Sequence, residues 1–402
     1  MRIKKVAASL VSMGLIASPL AYATNGDEMM AVGSQSTALG GTGVANYIGA
    51  ESLWANPAML GKSKKGSEVT GGVNLFKPNV TNTGMAGGAA GDSTANTSYI
   101  PDVSYASRIN DSLTYGVGVA GIAGMGVDYT GASPALALIQ AKSTLSILRV
   151  TMDVAYNQDN YGLGFAPIFQ SGSLMLSYNN GTAYNPAQNK DSSTGFGYSL
   201  GGYYNPMSAV TLAAAYQSKI SAKYGTQISG AGAGFGLTGA SAFGDSLDQP
   251  AQMKLGVAYA MSDAFTVTAD YKLIQWGSAA GYKDFNWKDQ NILAIGGKYT
   301  ASGYWLGLGY NHANDPISEL PTNTFRNAAI NMFNNMFFPA IVTNSYTFGG
   351  GYDLSKSLAV EGAAVITPGV TKAVSINGLG GAPTNTTTHS QQAYEISLRY
   401  KF

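Results

Sequence analysis

The chain has 402 residues, of which 45% are apolar and only 11% are charged, and its formal net charge is +1. Soluble domains carry about a quarter charged residues, so this composition is untypical of a soluble enzyme. Zero cysteines exclude disulfide bonds and thiolate chemistry. Two histidines are few for a metal site, so we expect neither metal nor cofactor. The sequence has no basic patch, and we expect no nucleic acid partner.

The first 23 residues are predicted to be an export signal. Its start is basic, residues 6–20 form an apolar stretch too short to cross a bilayer as a helix, and residues 21–23 read Ala-Tyr-Ala, a typical cleavage site. A short membrane anchor is the alternative. We expect the mature chain to begin near Thr24. Removing three of the 23 Lys and Arg leaves 20 against 22 Asp and Glu, a net charge of about −2.

Residues 24–66 are rich in Gly, Ala and Ser and do not follow a strand pattern. We interpret them as a plug, or hatch, inside a barrel formed by the rest of the chain. Its contacts are expected to come from Leu53, Trp54, Asn56, Pro57 and Ala58. Asn56 and Pro57 favour a turn, and Trp54 is a natural anchor against the barrel wall. A disordered periplasmic arm is the alternative, although such an arm would be more polar.

From residue 67 onward, apolar residues alternate with polar or small ones in one segment after another. In residues 265–273, for example, Phe, Val, Ala, Tyr and Leu alternate with Thr, Asp and Lys. A strand with one lipid face and one lumen face alternates in this way. No mature segment has about 18 consecutive apolar residues, which excludes helical membrane spans. We therefore predict an all-β fold, a transmembrane antiparallel β-barrel of about 14 strands over residues 67–402.

The connections between the predicted strands set the orientation of the barrel. The strands are expected near residues 67–77, 98–108, 113–130, 145–157, 161–178, 194–205, 208–221, 250–261, 264–276, 288–300, 303–312, 342–353, 357–367 and 390–402. Short links made of turn-forming residues alternate with longer links, as expected for short periplasmic turns and long outer loops. This alternation places the plug and the chain end on the periplasmic side.

Five segments resemble the FadL/TodX family of outer-membrane transporters of long-chain fatty acids and hydrocarbons. They are residues 38–43, 56–60, 115–119, 253–259 and 270–276, and the likeness covers nearly all of the mature chain. The resemblance implies a monomeric fourteen-stranded barrel in the Gram-negative outer membrane, closed by an N-terminal hatch. It also implies a kinked third strand that opens the wall sideways.

Residues 120–126 match the kink of that third strand. Its key positions here are Gly121, Gly124, Met125 and Gly126. Three glycines in a short stretch weaken ladder pairing and favour a bulge. Ordinary glycine in a Gly-rich chain is the alternative. Family members often carry a proline in this kink, and this sequence lacks it.

Apolar residues are concentrated in two of the predicted outer loops, where polar residues are usual. The second loop carries Leu136, Leu138 and Ile139, and the sixth carries Ile330, Phe333, Met336, Phe337 and Phe338. In the sixth loop their spacing places most of them on one helical face. Such clusters favour a binding groove for an apolar ligand, or a lid in which the loops pack against each other. Neither loop has the dense charged constriction typical of a porin for hydrophilic solutes.

These patterns predict passive uptake of hydrophobic molecules, either long-chain fatty acids or aromatic and aliphatic hydrocarbons. The cargo would be captured by the outer loops, pass the hatch and leave sideways through the third strand. A carboxylate on the cargo would favour a nearby cation such as Lys142, Arg149 or Arg326. The expected partners are this substrate, outer-membrane lipid and lipopolysaccharide, and the chain is expected to be a monomer.

Three other functions stay open. A general or substrate-specific porin would conduct small hydrophilic solutes. An enzyme is not expected, because only His312 and His389 are available as histidine bases, and each is interpreted as an ordinary residue at a strand boundary. An adhesin or phage receptor would use the exposed loops and is compatible with transport.

Overall fold

The structure is a computed structural model that describes residues 24–402, except 86, 88–89, 133–138, 180–182 and 185–189. The predicted export signal lies outside the described residues. Within the described part, fourteen long strands form a closed barrel in which neighbouring strands are antiparallel. The last strand pairs with the first and closes the barrel. The predicted fold class is therefore confirmed.

The strand positions follow the sequence prediction closely. The barrel strands are β1 (Ser67–Asn82), β2 (Ser98–Arg108), β3 (Leu113–Asp128), β4 (Lys142–Asn157), β5 (Tyr161–Asn179), β6 (Asp191–Met207), β7 (Val210–Gln217), β8 (Gln252–Ala260), β9 (Phe265–Ile274), β10 (Gln290–Ala301), β11 (Tyr304–Ala313), β12 (Asn344–Asp353), β13 (Leu358–Ser375) and β14 (Thr384–Lys401). β1 and β13 run past their predicted ends at 77 and 367 and keep pairing with β14. These extensions lack clear apolar alternation, so the sequence pattern stops before the hydrogen-bonded ladder does.

The two faces of the wall differ as a membrane barrel requires. Along β14, Ile396 and Leu398 face outward and are 57% and 53% exposed, whereas Glu395, Ser397 and Arg399 are buried on the inner face. An apolar outer surface is stable against lipid, and a polar inner surface is not exposed to it. Across the residues that the structure describes, no helix has both the length and the hydropathy to cross a bilayer.

The connections alternate in length, so the barrel has a short-turn end and a long-loop end. The short turns are 109–112, 158–160, 208–209, 261–264, 302–303 and 354–357. The long connections are 83–97, 129–141, 180–190, 218–251, 275–289, 314–343 and 376–383. Residues 24–66, called the N-terminal segment below, enter β1 at the short-turn end, where the Ser67 N–H donates to the Phe402 carbonyl at 2.8 Å.

The smaller elements lie in the N-terminal segment and in the long connections. The N-terminal segment contains the strands Thr24–Asn25 and Glu28–Met29, the helices α1 (Ser34–Ala38) and α2 (Ser52–Ala55), and the 3₁₀ helices Gly49–Glu51 and Pro57–Lys62. The long connections contain the helices α3 (Gln227–Gly234) and α4 (Phe325–Phe337), the strands Gly91–Asp92 and Ala183–Tyr184, and the 3₁₀ helices Gly239–Ser241, Trp276–Ser278 and Tyr282–Phe285. The largest buried apolar cluster joins α3 and α4 to the parts of β3, β4 and β5 that lie nearest the long connections.

Candidate functional site

The third strand departs from the rest of the wall in its second half. Exposed or half-buried residues alternate with buried ones as far as Val119, but residues 120–127 are all buried. The register with β4 shifts between Gly121 and Ala123, which leaves Ile122 as an extra residue. A strand without alternation has no lipid-facing side, so this half of β3 lies behind the outer surface of the barrel.

The neighbouring strand β2 does not pair with the second half of β3. The ladder between β2 and β3 ends at the pair Asp102–Ala120, although β2 begins at Ser98 and β3 continues to Asp128. The residues of the expected kink, Gly121, Gly124, Met125 and Gly126, lie in this half of β3, which pairs with β4 but not with β2. A Cβ on Gly126 would overlap the carbonyl of Ser143 in β4, so the close approach of the two backbones requires glycine there.

The edge of β3 that β2 leaves free is met by the N-terminal segment. Glu28 pairs with Ala123, and the Gly124 N–H donates to the Asp27 carbonyl at 2.9 Å. The Asp27 carboxyl accepts a hydrogen bond from the Tyr282 hydroxyl in a long connection. Burial raises the pKa of this carboxyl to about 7. The start of the N-terminal segment therefore stands where the wall would otherwise lack a strand.

Beside this edge, toward the long-loop end, apolar side chains enclose a space that we call the loop chamber. The empty space there is about 360 Å³, including space open to solvent, and its lining residues are Met125, Leu174, Leu176, Ile228, Leu247, Tyr282, Phe285, Trp287, Asn334 and Phe338. They come from β3, β5, α3, α4 and the connections beside these helices. Because Met125 belongs to the displaced half of β3, the chamber wall and the free strand edge share a residue.

The polar atoms around the loop chamber are already used. The Asn334 carbonyl oxygen accepts from the Trp287 indole at 2.9 Å, and its amide donates to the Phe285 carbonyl at 2.7 Å. The Tyr282 hydroxyl is taken by Asp27. A ligand in this chamber therefore meets apolar surface, and a polar group on it would lose its water without gaining a partner.

Helix α4 supplies most of the apolar residues predicted in the sixth outer loop. Ile330, Phe333, Met336 and Phe337 are buried in the cluster around the loop chamber, and Phe338 lines the chamber itself. The Phe333 ring packs 4.9 Å from Phe337, measured between ring centroids. These side chains lie where loops pack on one another, not on an exposed groove.

The second outer loop is described at residues 129–132 and 139–141. Ile139 is buried in the same apolar cluster, and its backbone is left-handed with φ 49°. Its carbonyl accepts from the Asn179 N–H at 2.6 Å, which joins the loop to the end of β5. Leu136 and Leu138 lie outside the described residues.

At the other end, the N-terminal segment contacts the wall through hydrogen bonds and glycine positions. The Asn56 amide donates to the carbonyls of Val44 at 2.8 Å and Gly202 at 3.3 Å, and its carbonyl oxygen accepts from the Ala58 N–H at 3.0 Å. A Cβ on Gly201 would overlap that Asn56 oxygen. Because Gly201 has no side chain, the Asn56 side chain can approach the wall at this position.

The remaining predicted plug residues lie in the same contact. The Trp54 indole donates to Ser104 of β2 at 2.9 Å, and Leu53 is buried in a small apolar cluster with the wall. Pro57 opens the 3₁₀ helix that follows, and a Cβ on Gly164 of β5 would overlap its carbonyl carbon. The structure thus brings all five residues to the inner face of the barrel.

A buried ionic cluster ties the N-terminal segment to the strands where the barrel closes. The Arg399 guanidinium forms ion pairs with Glu51 at 3.2 Å, with Glu68 at 2.5 Å and with Glu361 at 2.8 Å. Burial raises the pKa of Glu51 well above its usual range, and the charge of Arg399 opposes that rise. Three carboxylates share one guanidinium, so the arginine holds the segment, β1 and β13 together.

A second space, which we call the lumen cavity, lies between the N-terminal segment and the wall. It holds about 960 Å³, including space open to solvent. Its charged lining residues are Glu28, Arg149, Lys254, Asp270 and Lys272. Its apolar lining includes Met29, Met30, Val32, Leu53, Ile122, Ile168 and Ile292. Unlike the loop chamber, this cavity combines charged and apolar surface.

The three cations proposed as carboxylate partners lie in different parts of the barrel. Lys142 forms an ion pair with Asp128 at 2.7 Å near the long-loop end. Arg326, at the start of α4, donates to the Ser241 carbonyl at 3.3 Å. Arg149 lines the lumen cavity, and it alone of the three lies inside the barrel near a space for a ligand.

His312 lies near the end of β11, as expected, whereas His389 lies inside β14 and not at its start. His312 is bonded to the Asn344 side chain at 2.9 Å. His389 is bonded to the Pro339 carbonyl at 2.7 Å and to the Gln391 amide at 3.0 Å. Each ring is thus engaged by a neighbouring amide or carbonyl group.

Sequence reasoning missed several residues of the loop chamber and the contact of the N-terminal segment with β3. One signal was available for the chamber: residues 174–176 read Leu-Met-Leu, three consecutive buried apolar residues that break the alternation of β5. The partner of Ala123 had no such signal, because Glu28 is distant in sequence and lies in a segment without strand periodicity.

A closed barrel with an apolar outer face and an apolar chamber under its long connections is typical of an outer-membrane transport barrel. Residues 15–402 match the sequence model of the family described as outer membrane protein transport protein (OMPP1/FadL/TodX). The chain therefore belongs to that family, which places it in the Gram-negative outer membrane as a barrel that crosses the bilayer many times.

Solved structures share the fold at low sequence identity. The toluene transporter TodX of P. putida is 19% identical with a TM-score of 0.69, covering 93% of this chain and 99% of its own. A FadL homologue of Pseudomonas aeruginosa is 17% identical with a TM-score of 0.71, covering 94% and 100%. The toluene transporter TbuX of Ralstonia pickettii is 19% identical with a TM-score of 0.63, covering 93% and 99%.

One curated relative also matches. It is a protein of Chlorobium limicola described as an uncharacterized protein in the phosphoenolpyruvate carboxykinase gene 5′ region, 36% identical over 115 residues. The match covers 28% of this chain, and the chain spans about half (55%) of that relative's length.

Proposed function

We propose that the protein takes up hydrophobic molecules through the outer membrane by diffusion. The loop chamber carries this proposal, because its lining is apolar and its polar atoms are already hydrogen-bonded. Such a site favours a ligand by the area of apolar surface removed from water, about 25 cal/mol per Å². The toluene transporters TodX and TbuX share the fold, which supports a hydrocarbon as cargo.

The release step is proposed to run through the wall at β3. Met125 lines the loop chamber and stands in the half of β3 that β2 does not pair. A cargo leaving the chamber would therefore need to displace only the short pairing of Glu28 with Ala123, not a full strand ladder. Fewer hydrogen bonds break in that displacement than in parting two wall strands.

The domain roles follow from this route. Residues 1–23 are proposed as the export signal, 24–66 as the hatch and 67–402 as the barrel. The hatch, through Leu53, Trp54, Asn56, Pro57 and Ala58, would keep the short-turn end closed to solutes while cargo leaves sideways. We expect the protein to act as a monomer among outer-membrane lipid and lipopolysaccharide.

The proposal is tested first by mass spectrometry of the compounds that co-purify with the barrel. Uptake of the compound found is then measured in cells that lack the protein and in cells that carry it again. A variant with Ile122 deleted removes the extra residue of β3 and lets the ladder run without a register shift. It should reduce uptake about tenfold or more, whereas Ile122→Val keeps the bulge and should leave uptake unchanged.

Three results would contradict parts of this proposal. Normal uptake in cells without the protein would refute transport. Rapid passage of small sugars into liposomes that carry the purified barrel would instead identify a general or substrate-specific porin. Full uptake by the Ile122 deletion would leave the apolar cargo in place but refute release through β3.

A further inference from the structure

Two carboxyl side chains without an ion pair lie on the inner face of the wall, near the strands that close the barrel. Asp102 of β2 and Glu395 of β14 are each 5% exposed. Among the residues that the structure describes, neither carboxyl group forms an ion pair. The two are near enough for their charges to repel each other. A buried carboxylate without a counter-charge is costly, so these two charges need to be offset.

The strand between β2 and β14 brings the two carboxyl groups together. In β1, Gly72 pairs with Asp102 on one side and with Ser397 on the other. Glu395 pairs with Asn74, which is two residues further along β1 and therefore on the same face. A Cβ on Gly72 would come 2.6 Å from an oxygen of Asp102. The missing side chain thus lets the Asp102 carboxyl group lie across β1 toward β14.

Asn74 adds a third oxygen to this group. Its side chain is 5% exposed, and its carbonyl oxygen has no hydrogen-bond partner in the protein. One oxygen of Asp102 and one oxygen of Glu395 also lack a partner. Buried acceptors are rarely left without a donor or a cation, because such atoms lose their water and gain nothing. Three of them beside one another point to a bound positive group.

The neighbouring ionic cluster has no positive charge to spare. The Arg399 guanidinium is already shared by three carboxylates. Lys298 is a second cation here, and its charge acts on Glu361 of that cluster. Together with Asp102 and Glu395, five carboxyl groups therefore face two cationic groups. The region has an excess of negative charge that a divalent cation would reduce.

Ligands that are all oxygen, two of them carboxylates, suit a hard cation. Ca²⁺ takes carboxylate and amide oxygens together with water, and Mg²⁺ is held by one or two carboxylates and keeps several waters. Across the described part of the chain, no three acidic or histidine side chains gather where they could hold a metal ion, so the amide is needed as the third ligand. The expectation of no metal rested on the scarcity of histidine, which an oxygen site does not use. We propose that Asp102, Glu395 and Asn74 bind one Ca²⁺ or Mg²⁺ ion.

The ion would stand beneath helix α1 and help to hold it. The Thr37 hydroxyl of α1 donates to the second oxygen of Glu395 at 2.9 Å, and the hydroxyls of Ser34 and Ser397 are 2.7 Å apart. Asn74 and Thr37 also line a space of about 240 Å³, including space open to solvent, which gives room for water on the ion. An ion that joins β2, β1 and β14 fixes the side chains on which α1 rests. This role goes beyond the proposed function, because none of the three ligands lines the loop chamber.

Equilibrium dialysis of the purified full-length protein in a nonionic detergent, against Ca²⁺ or Mg²⁺, tests the site. Bound metal is measured by atomic emission. Wild type should bind about one ion per chain more than the double variant Asp102→Asn/Glu395→Gln. This variant keeps the size of both side chains and removes their repulsion, so it is expected to fold. The ion should also raise the unfolding temperature of wild type and leave that of the double variant unchanged.

Two further variants make the result specific. Asn74→Leu removes the amide oxygen and keeps both carboxylates. It should weaken binding at least about tenfold, since losing even a group that only supports a metal ligand costs about 10–100-fold. Asp153→Asn is the matched control, because Asp153 of β4 is 1% exposed and also has an oxygen without a partner, but it lies two strands from Asp102. It should bind the ion as wild type does. Metal on co-purified lipopolysaccharide would be the same in every variant.

Three outcomes would overturn the proposal. Equal binding of metal by wild type and the double variant would show that protons, not a metal ion, offset the two charges. Wild-type affinity in Asn74→Leu would show that the amide is not a ligand. A loss in Asp153→Asn as large as in the double variant would show a general effect of removing buried charge. In each case the proposed uptake of hydrophobic molecules through the loop chamber would stand.

Discussion

The loop chamber and the contact between the N-terminal segment and the wall are both buried, yet they are built from opposite chemistry. The chamber is enclosed by aromatic and aliphatic side chains that come from several long connections. The contact at the short-turn end consists of hydrogen bonds, an ionic cluster and glycines whose missing side chains make room for the segment.

The difference lies in how each region responds to change. Apolar packing has no direction, so a chamber tolerates substitutions that conserve volume. Buried charges and hydrogen bonds do have direction, and removing one partner leaves the other unsatisfied at high cost. Apolar packing is therefore compatible with the varied ligands proposed for the chamber, whereas the N-terminal contact is suited to hold one fixed arrangement.

The largest effect is expected from Arg399→Met in the polar contact. The change leaves Glu51, Glu68 and Glu361 buried without their common partner, and it should lower the free energy of unfolding by about 4 kcal/mol. Urea unfolding of the barrel in detergent measures it. Lys401→Met, at the exposed end of the same strand, is the control and should change stability by less than about 0.5 kcal/mol.

A stability equal to wild type for Arg399→Met would mean that the ionic cluster adds nothing beyond its packing. The contrast between the two regions would then fail at its strongest point. A loss confined to high pH would instead show that the three carboxylates take up protons when the guanidinium is gone.

The next effect concerns the chamber side of the comparison. Phe333→Ala removes a ring that packs on Phe235, Phe285 and Phe337, and it should cost about 3 kcal/mol. Phe333→Leu keeps most of the volume and should cost less than about 1.5 kcal/mol. Thermal unfolding checks both. Equal losses in the two variants would mean that the chamber needs a specific ring and not merely apolar volume.

The barrel itself was predictable from sequence, because a strand between lipid and lumen must alternate apolar with polar or small side chains. This alternation is visible in the order of residues within each segment. β14 is an example: Ile396 and Leu398 alternate with Glu395, Ser397 and Arg399, and the strand was placed correctly. Its first residues, from Thr384, were missed because 384–389 are almost all polar. There the ladder is held by backbone hydrogen bonds, which do not require an alternation of apolar and polar side chains.

The apolar cluster of α4 was also visible in the sequence, but its surroundings were not. Ile330 and Phe333 indicated a buried face, yet nothing in the chain indicated that Leu174 and Trp287 would meet that face. The bond from Asn56 to Gly202 spans 146 residues of sequence. Such contacts depend on where closure of the barrel brings distant strands, and periodicity within one segment carries no information about it.

A smaller effect is expected at Gly201, the wall residue whose missing side chain makes room for Asn56. Gly201→Ala places a Cβ against the Asn56 side-chain oxygen and 3.0 Å from Pro57, and it should cost about 2 kcal/mol through overpacking. Gly202→Ala is a matched control in the next position, since its Cβ would come no closer than 3.6 Å to Leu163. Ion conductance of single barrels in planar bilayers measures whether the N-terminal segment has moved.

Gly201→Ala should raise conductance above wild type, and Gly202→Ala should not. Low conductance in both variants would show that the segment shifts without opening the short-turn end. High conductance in wild type would remove the basis for calling residues 24–66 a hatch.

The smallest effect concerns the point where the two regions meet, at Asp27. Burial raises the pKa of its carboxyl to about 7, so its charged form is less favourable when the segment pairs with β3 than when it is released. The pairing is therefore strongest at low pH and weakens as pH rises from about 4 to about 7, where the released carboxyl has already lost its proton.

Hydrogen exchange at the Gly124 N–H, which donates to the Asp27 carbonyl, reports this pairing directly. After correction for intrinsic rates, exchange should be about fivefold faster at pH 8 than at pH 5, a difference of ~1 kcal/mol. Asp27→Asn removes the titration and should make the exchange independent of pH. If the wild-type exchange were equally independent, the edge of β3 would be held by its backbone pairing alone, and the proposed opening of the wall would not respond to the charge of the segment that covers it.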